Sequence, residues 1–285
     1  MDITVITPFY KGNGYMEQLL TCISRAAARV SDAQVEMLLV NDSPDVEISY
    51  DPAWVQNFSL RILCNAQNSG IHRSRVNGLK QAQGRFIQFL DQDDLLAEET
   101  FATQLPLMEG ADVVIANGFD QNPRTYGPIY KSLTHQRQAT QARFYYSVGN
   151  QIVSPGHCLI RREAIPEAWC TTYITRNGSD DLLLWLLMFA EGRRFTVNAL
   201  QLYTHVDTGA NVSADEKKIL DSSAEVLEIL KANNAITPLQ ERKYLRCRRM
   251  GAMYANKSRG WALLAMVCYP DVAWEKLMLR RNFYR

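Results

Sequence analysis

Through the first half of the chain, short β-branched and aliphatic runs alternate with stretches whose apolar positions recur at helical spacing. Residues 3–7, 35–41, 60–65, 85–90 and 112–116 are predicted strands, and residues 15–29, 71–83 and 97–108 predicted helices. This alternation predicts an α/β fold with a mainly parallel central sheet flanked by helices on both faces. Gly84 falls where the cap of the second helix is expected, just ahead of the fourth strand.

From residue 117 to about 152 the pattern lapses: Pro123, Gly127 and Pro128 precede a Gln-, Arg- and Tyr-rich stretch without a period. It predicts a mobile loop region with room for one short helix. A strand at 157–161, an apolar helix at 181–190 and an extended segment at 195–205 complete a first domain, residues 1–213. Residues 214–285 predict a helical C-terminal extension, with helices at 217–233 and 238–256 and a Trp- and Arg-rich tail. In open parallel sheets, ligands bind beyond the carboxyl ends of the strands. The residues there are Tyr10, then Asn41-Asp42-Ser43, then Asn68-Ser69-Gly70, then Asp91-Gln92-Asp93-Asp94.

Composition supports a globular reading: 285 residues, 47% hydrophobic, can bury a full core, and no low-complexity or repeated stretch competes. Charge adds an asymmetry. The net +1 conceals residues 241–285, with 11 Lys/Arg against 3 Asp/Glu, or +8, while the remainder carries 20 against 27, or −7. The C-terminal segment is therefore expected to meet something anionic, and no nucleic-acid partner is implied for the body of the chain. Six scattered cysteines without metal-like spacing predict reduced, mostly buried thiols. The opening MDITVITPFY has no signal-peptide character, and the longest apolar run, 261–269, is too short to span a bilayer. A cytoplasmic protein is expected.

The sharpest chemical signal is FLDQDD, an apolar strand that ends in three carboxylates within four residues. Nothing in a core would neutralise that charge, whereas a hard divalent cation, Mn²⁺ or Mg²⁺, would, keeping positions open for substrate phosphates. A solvated acidic turn with Asp94 capping the next helix would show the same residues.

The surrounding sequence separates these readings. ITPFYKGNGYMEQLLTCI, then LLVNDS, then NSGIHRSRVNGLKQAQGRFIQFLDQDD resemble, in order and spacing, the family 2 glycosyltransferases, an inverting group common in bacterial polysaccharide synthesis. The resemblance covers residues 3–213 and implies the GT-A nucleotide-diphospho-sugar transferase fold. It implies transfer of a sugar from a nucleotide-diphospho-sugar donor, most simply UDP-linked, to a hydroxyl of a saccharide or lipid-linked saccharide acceptor.

The resemblance also assigns roles. Pro8 and Tyr10 match the loop where an aromatic ring stacks on the nucleotide base. Asp42 matches the carboxylate that accepts from the base, although it could instead stabilise the turn before Pro44. Arg75 matches an arginine near base and diphosphate, although it could be a solvated helix residue; Val76 departs from the asparagine usual after it. Asp91 and Asp93 match the metal-binding D-x-D, Asp93 as direct ligand and Asp91 towards ribose or a metal-bound water. His205, in LYTHVDTG, is a candidate third ligand or a structural histidine.

Gly178-Ser179-Asp180-Asp181 resembles the family's acidic pair, which makes Asp181 the base that deprotonates the acceptor and Asp180 its support; both could also serve only to cap a helix. Trp185 reads as core. Residues 121–151 and SPGHCLIRR are expected on the acceptor side, with His157, Arg161 and Arg162 as phosphate contacts or plain surface. The tail mixes clustered Arg and Lys with Trp261, Leu263, Leu264, Met266, Val267, Tyr269 and Trp274. That suits peripheral attachment to the inner face of the cell membrane, and equally a homodimer contact or a core-covering helix. Two other classes compete. A dinucleotide oxidoreductase would need a G-x-G-x-x-G turn where TPFYKGNG stands. A non-catalytic nucleotide-sugar-binding subunit has no use for an acidic set kept intact.

Overall fold

The computed structural model describes residues 1–122, 125–209, 215–255, 258–281 and 283. Pro123 and the expected domain boundary at 213/214 lie outside them. The chain forms two compact units: residues 1–129, 154–165 and 193–208 make the first, and residues 130–153, 166–192 and 209–285 the second.

The first unit begins β1 (Ile3–Phe9), α1 (Met16–Ala28), β2 (Val35–Asn41), β3 (Ser59–Cys64), α2 (Ile71–Gln81), β4 (Phe86–Phe89) and the two-residue β5 (Leu95–Leu96). After α3 (Thr100–Gln104) come β6 (Val113–Asn122) and β7 (Thr125–Pro128). The nine-stranded sheet runs β3-β2-β1-β4, then β8 (Cys158–Arg161), β6, β9 (Phe195–Val206) and β5, with β7 beside β6. Pairing is parallel from β3 to β4 and between β6 and β9, and antiparallel at β8, β7 and β5. The expected parallel half is present, and the antiparallel strands extend it into a mixed sheet.

β1 and β2 are buried almost throughout, as strands covered on both faces should be. Ile3, Val5 and Phe9 pack with Leu19, Leu20 and Ile23 of α1 in one core, each contributing about 1.5–3 kcal/mol. Two details depart from expectation. Ala82, not Gly84, caps α2. Gly84 instead lies so close to β1 that a Cβ would stand 2.5 Å from the Thr4 nitrogen, and its N–H donates to Thr4 Oγ1. The long third helix is a short α3 continued by a 3-10 turn, Leu105–Glu109, which contains Pro106.

The stretch read as a mobile loop is built of regular elements. β6 continues to Asn122 and pairs antiparallel with β7, and two six-residue helices follow in the second unit, α4 (Leu133–Gln138) and α5 (Ala142–Ser147). Elements this short carry too few repeats for a period to be seen.

The second unit continues with α6 (Glu167–Thr171), α7 (Asp180–Ala190), α8 (Glu216–Ala232), α9 (Pro238–Tyr254), α10 (Arg259–Cys268) and α11 (Pro270–Arg281). α7 buries Leu182 through Met188 in succession, Trp185 among them, so it is a core helix apolar on every side. α9 starts on a full capping box, with Thr237 and Gln240 exchanging side-chain and backbone bonds and Pro238 in the first turn. Among the described residues no helix is long and apolar enough to cross a membrane.

Candidate active site

The expected nucleotide-side residues Pro8, Tyr10, Asp42, Arg75, Asp91, Asp93 and His205 all belong to the first unit. β1 pairs with β4 only as far as Ile6 but with β2 as far as Phe9. Pro8, which has no N–H to give, thus sits where the ladder has one neighbour. The chain then leaves the sheet with the Tyr10 ring 48% exposed, and Lys11 takes a positive φ of 51°.

Gln92 fixes this turn. Tyr10 N–H donates to Gln92 Oε1 at 2.9 Å, and Gln92 Nε2 donates back to the Tyr10 carbonyl at 3.2 Å. Gly12 makes room: a Cβ there would stand 2.2 Å from Gln92 Oε1. Lys11 N–H also donates to Ser43 Oγ, so the loop after β1 is tied to the ends of both β4 and β2.

Asp42 is buried and organises the turn into α2. Its Oδ1 accepts from Asn65 Nδ2 at 2.8 Å and Ser69 N–H at 2.7 Å, and its Oδ2 from Gly70 N–H at 2.8 Å. Three of a carboxylate's roughly four acceptor directions are thus filled from within the fold. Arg75, on α2, is 4% exposed and so is no solvated helix residue. Its Nη2 lies 2.5 Å from Asp91 Oδ1.

The two carboxylates that close the motif differ. Asp94 is fully buried and accepts from the Tyr203 hydroxyl, from Val206 N–H at 3.0 Å, and at 3.1 Å from Nδ1 of His205. It does not cap the following helix; it pins β9. Burial opposes a charge on His205, but its hydrogen bond and attraction to Asp94 outweigh that and lift it to about 9. Burial likewise pushes Asp94 up, against the pull of the same hydrogen bond. Asp93 receives no side-chain hydrogen bond among the described residues. Burial, then the neighbouring charges of Asp94 and Asp91, push it up to about 7.

Among the described residues no three His, Cys, Asp or Glu side chains are placed as a ready-made metal cage. A Mg²⁺ or Mn²⁺ that serves a diphosphate needs none, because one or two carboxylates suffice when phosphate and water complete the shell. Asp93, crowded by like charge, fits that donor chemistry. Asp91 offers the oxygen not paired with Arg75, and His205, with Nδ1 turned to Asp94, could ligate only through Nε2 and only after losing the proton held there below about pH 9.

Three expected acceptor contacts are committed elsewhere. His157 is wholly buried, stacks on Tyr203 and shares a hydrogen bond with the Ala116 carbonyl. Arg161 donates to the carbonyls of Met108 and Ala111, and Arg162 to that of Ala82. The sequence gives no individual role to Gln92, Tyr203 or Ser154, whose hydroxyl lies 3.5 Å from Asp91. For Gln92 the signal was present: a glycine next to an exposed aromatic, admitting a long side chain from another strand end.

Asp180 and Asp181 occupy the first turn of α7 in the second unit. Asp180 is buried, and its carbonyl accepts from Trp169 Nε1 at 2.8 Å. Asp181 is partly exposed; its Oδ1 accepts from Leu182 N–H at 2.7 Å and its Oδ2 from Asn150 Nδ2 at 2.6 Å. A helix N-terminus favours negative charge, so the fold accommodates an ionised carboxylate here.

Strand order and an acidic strand end beside an exposed aromatic define a GT-A-type α/β fold. A solved structure of residues 1–349 of S. aureus TarS with UDP-GlcNAc matches with a TM-score of 0.65 at 17% identity, over 95% of this chain and 81% of that one. The mannosyltransferase PcManGT of Pyrobaculum calidifontis, solved with GDP-Man and Mn²⁺, matches at 0.54 and 15% identity, over 98% and 84%. In sequence, residues 4–169 match the model of glycosyl transferase family 2, and the chain belongs to that family. It is 36% identical over 106 residues to the minor teichoic acid biosynthesis protein GgaB of Bacillus subtilis, covering 36% of this chain but only 12% of GgaB.

Proposed function

We propose that this chain is an inverting glycosyltransferase that moves a sugar from a UDP-linked donor to a hydroxyl of a saccharide or lipid-linked saccharide, in bacterial cell-surface polysaccharide synthesis. The observation that carries the reading is the grouping, at neighbouring strand ends of one unit, of an exposed ring, a buried arginine–carboxylate pair and a carboxylate crowded by like charge. Family membership and the UDP-GlcNAc held by TarS support the donor. A cytoplasmic setting, where nucleotide-sugars are made, goes with this reading.

Tyr10 offers its face to the base, and Asp42 the acceptor direction that its three internal bonds leave. Arg75 holds Asp91 towards the ribose and diphosphate. Asp93, with Asp91 and His205 as further donors, would hold Mn²⁺ or Mg²⁺, which supplies Lewis acidity for the departing diphosphate; the Mn²⁺ in PcManGT supports this choice. Asp181 takes the proton of the acceptor hydroxyl as its oxygen bonds to the anomeric carbon, and the electrons of the anomeric C–O bond leave with the diphosphate. Asp180 supports the base from inside the helix.

The test is thermal stabilisation by UDP with and without Mn²⁺, followed by release of UDP from a panel of nucleotide-sugars. Metal-dependent stabilisation and turnover of one donor are expected. Stabilisation without turnover of any donor would leave a binding subunit, and no stabilisation by UDP would overturn the donor.

A further inference from the structure

The last two helices present an apolar surface that the rest of their unit does not cover. α10 and α11 rest on α9 through a small cluster in which Met250, Ala265 and Val272 are buried. The Arg246–Asp271 ion pair, at 2.5 Å, fastens the start of α11 to α9. Among the described side chains of α10 only Ala265 is buried, so the large side chains of that helix point away. Leu263 is 62% exposed and Val267 75%, with Trp261 and Leu264 beside them. On α11, Trp274 and Leu277 are exposed as well, three residues apart on one face, and Arg281 follows at the next turn.

The charge around this surface selects its occupant. Residues 241–285 carry +8, and Arg280 and Arg281, at the end of α11, are exposed. A twofold contact between two copies would set this patch against itself, cation facing cation. A lipid surface bearing negative charge reverses that sign, accepts aliphatic side chains below the headgroups, and suits tryptophan at the boundary.

We propose that α10 and α11 dock this chain onto an anionic bilayer, with Leu263, Leu264 and Val267 entering the acyl boundary, Trp261 and Trp274 at headgroup level, and the arginines on the phosphates. The proposal is independent of the sugar chemistry, and its test reads no turnover.

The test is co-sedimentation of the full chain with phosphatidylcholine vesicles and with vesicles part-substituted by phosphatidylglycerol. The chain is expected to pellet with the anionic vesicles, to stay in solution with the neutral ones, and to be released by salt. Leu263→Glu with Val267→Glu should weaken binding by about tenfold or more. Leu239→Glu, an equally exposed position in the first turn of α9, should leave it unchanged. Tryptophan emission of the unaltered chain should shift to the blue with anionic vesicles, a readout that needs no variant to fold. Equal recovery from both vesicle types, or a dimer in solution that the Leu263→Glu, Val267→Glu chain loses, would overturn the proposal.

Discussion

At the end of β4 three carboxylates crowd together, whereas in the first turn of α7 a carboxylate finds donors waiting. Burial, and then the charges of Asp94 and Asp91, push Asp93 up to about 7, while Asp181 accepts from Leu182 N–H and Asn150. The first arrangement is unfavourable until a cation arrives; the second accommodates an anion without help. Two aspartates that look alike in sequence thus stand in different surroundings, and the proposed function gives the first a metal and the second a proton. The largest effects should come from removing either charge.

Asp93→Asn should abolish the Mn²⁺-dependent stabilisation by UDP and lower turnover by about 10³-fold or more. The same change should stabilise the free protein at pH 8, because it removes a charge that the fold disfavours. The folded pKa lies above the ordinary aspartate value of 3.8, so the penalty is absent near pH 4, grows as pH rises towards 7, and is constant above. For a partly exposed group, after discounting for screening, the gain is about 1–2 kcal/mol. Melting curves at pH 8 and pH 4 check this, and an Asp93→Asn protein that melts below the parent at pH 8 would refute the crowding.

Asp181→Asn makes the contrasting case. Turnover should fall by about 10²- to 10⁴-fold while metal-dependent UDP stabilisation stays at the parent value. If that stabilisation disappears too, Asp181 belongs with the donor site and the division of labour collapses.

The strand ends were legible as the place to look because carboxylates and aromatics there have few structural reasons to be present, and β1, β2 and α1 announce themselves by apolar runs or an apolar period. What could not be read was commitment. Nothing local marks Asp94 as the anchor of β9, since its partners Tyr203, His205 and Val206 lie more than a hundred residues away. His157 and Arg161 looked like acceptor contacts because a polar residue on a short strand is as easily buried as exposed. Where one short helix was expected after β7 there are two of six residues each, too short for a period to place them.

Two histidines flank Tyr203 and carry the comparison inward: attraction to Asp94 lifts His205, whereas burial brings His157 down to about 4. Because the folded pKa of His157 is lowered from 6.5, its effect is nil above that pH. It costs stability progressively as pH falls to about 4, reaching about 3 kcal/mol. His157→Asn keeps a donor for the Ala116 carbonyl and removes the titration. Its melting temperature should therefore fall less than the parent's between pH 6.5 and 4; parallel falls would place the acid sensitivity elsewhere.

The smallest effect concerns how the turn bearing Tyr10 is held against the acidic motif. Gln92 meets both the N–H and the carbonyl of Tyr10, and two such bonds at a partly exposed site contribute about 1–2 kcal/mol together. Gln92→Met keeps the length of the side chain and loses both bonds. It should raise the donor KM about three- to tenfold and change kcat less, because the turn bearing Tyr10 loosens while Asp93 and Asp181 are untouched. Gly12→Ala reaches the same contact from the other side, since its Cβ must displace Gln92 Oε1 from a position 2.2 Å away. The two changes break one contact, so the double variant should bind donor hardly worse than the weaker single one. Additive losses would mean that Gln92 and Gly12 act on the donor separately, and that the turn after β1 is held by Ser43 and its own backbone instead.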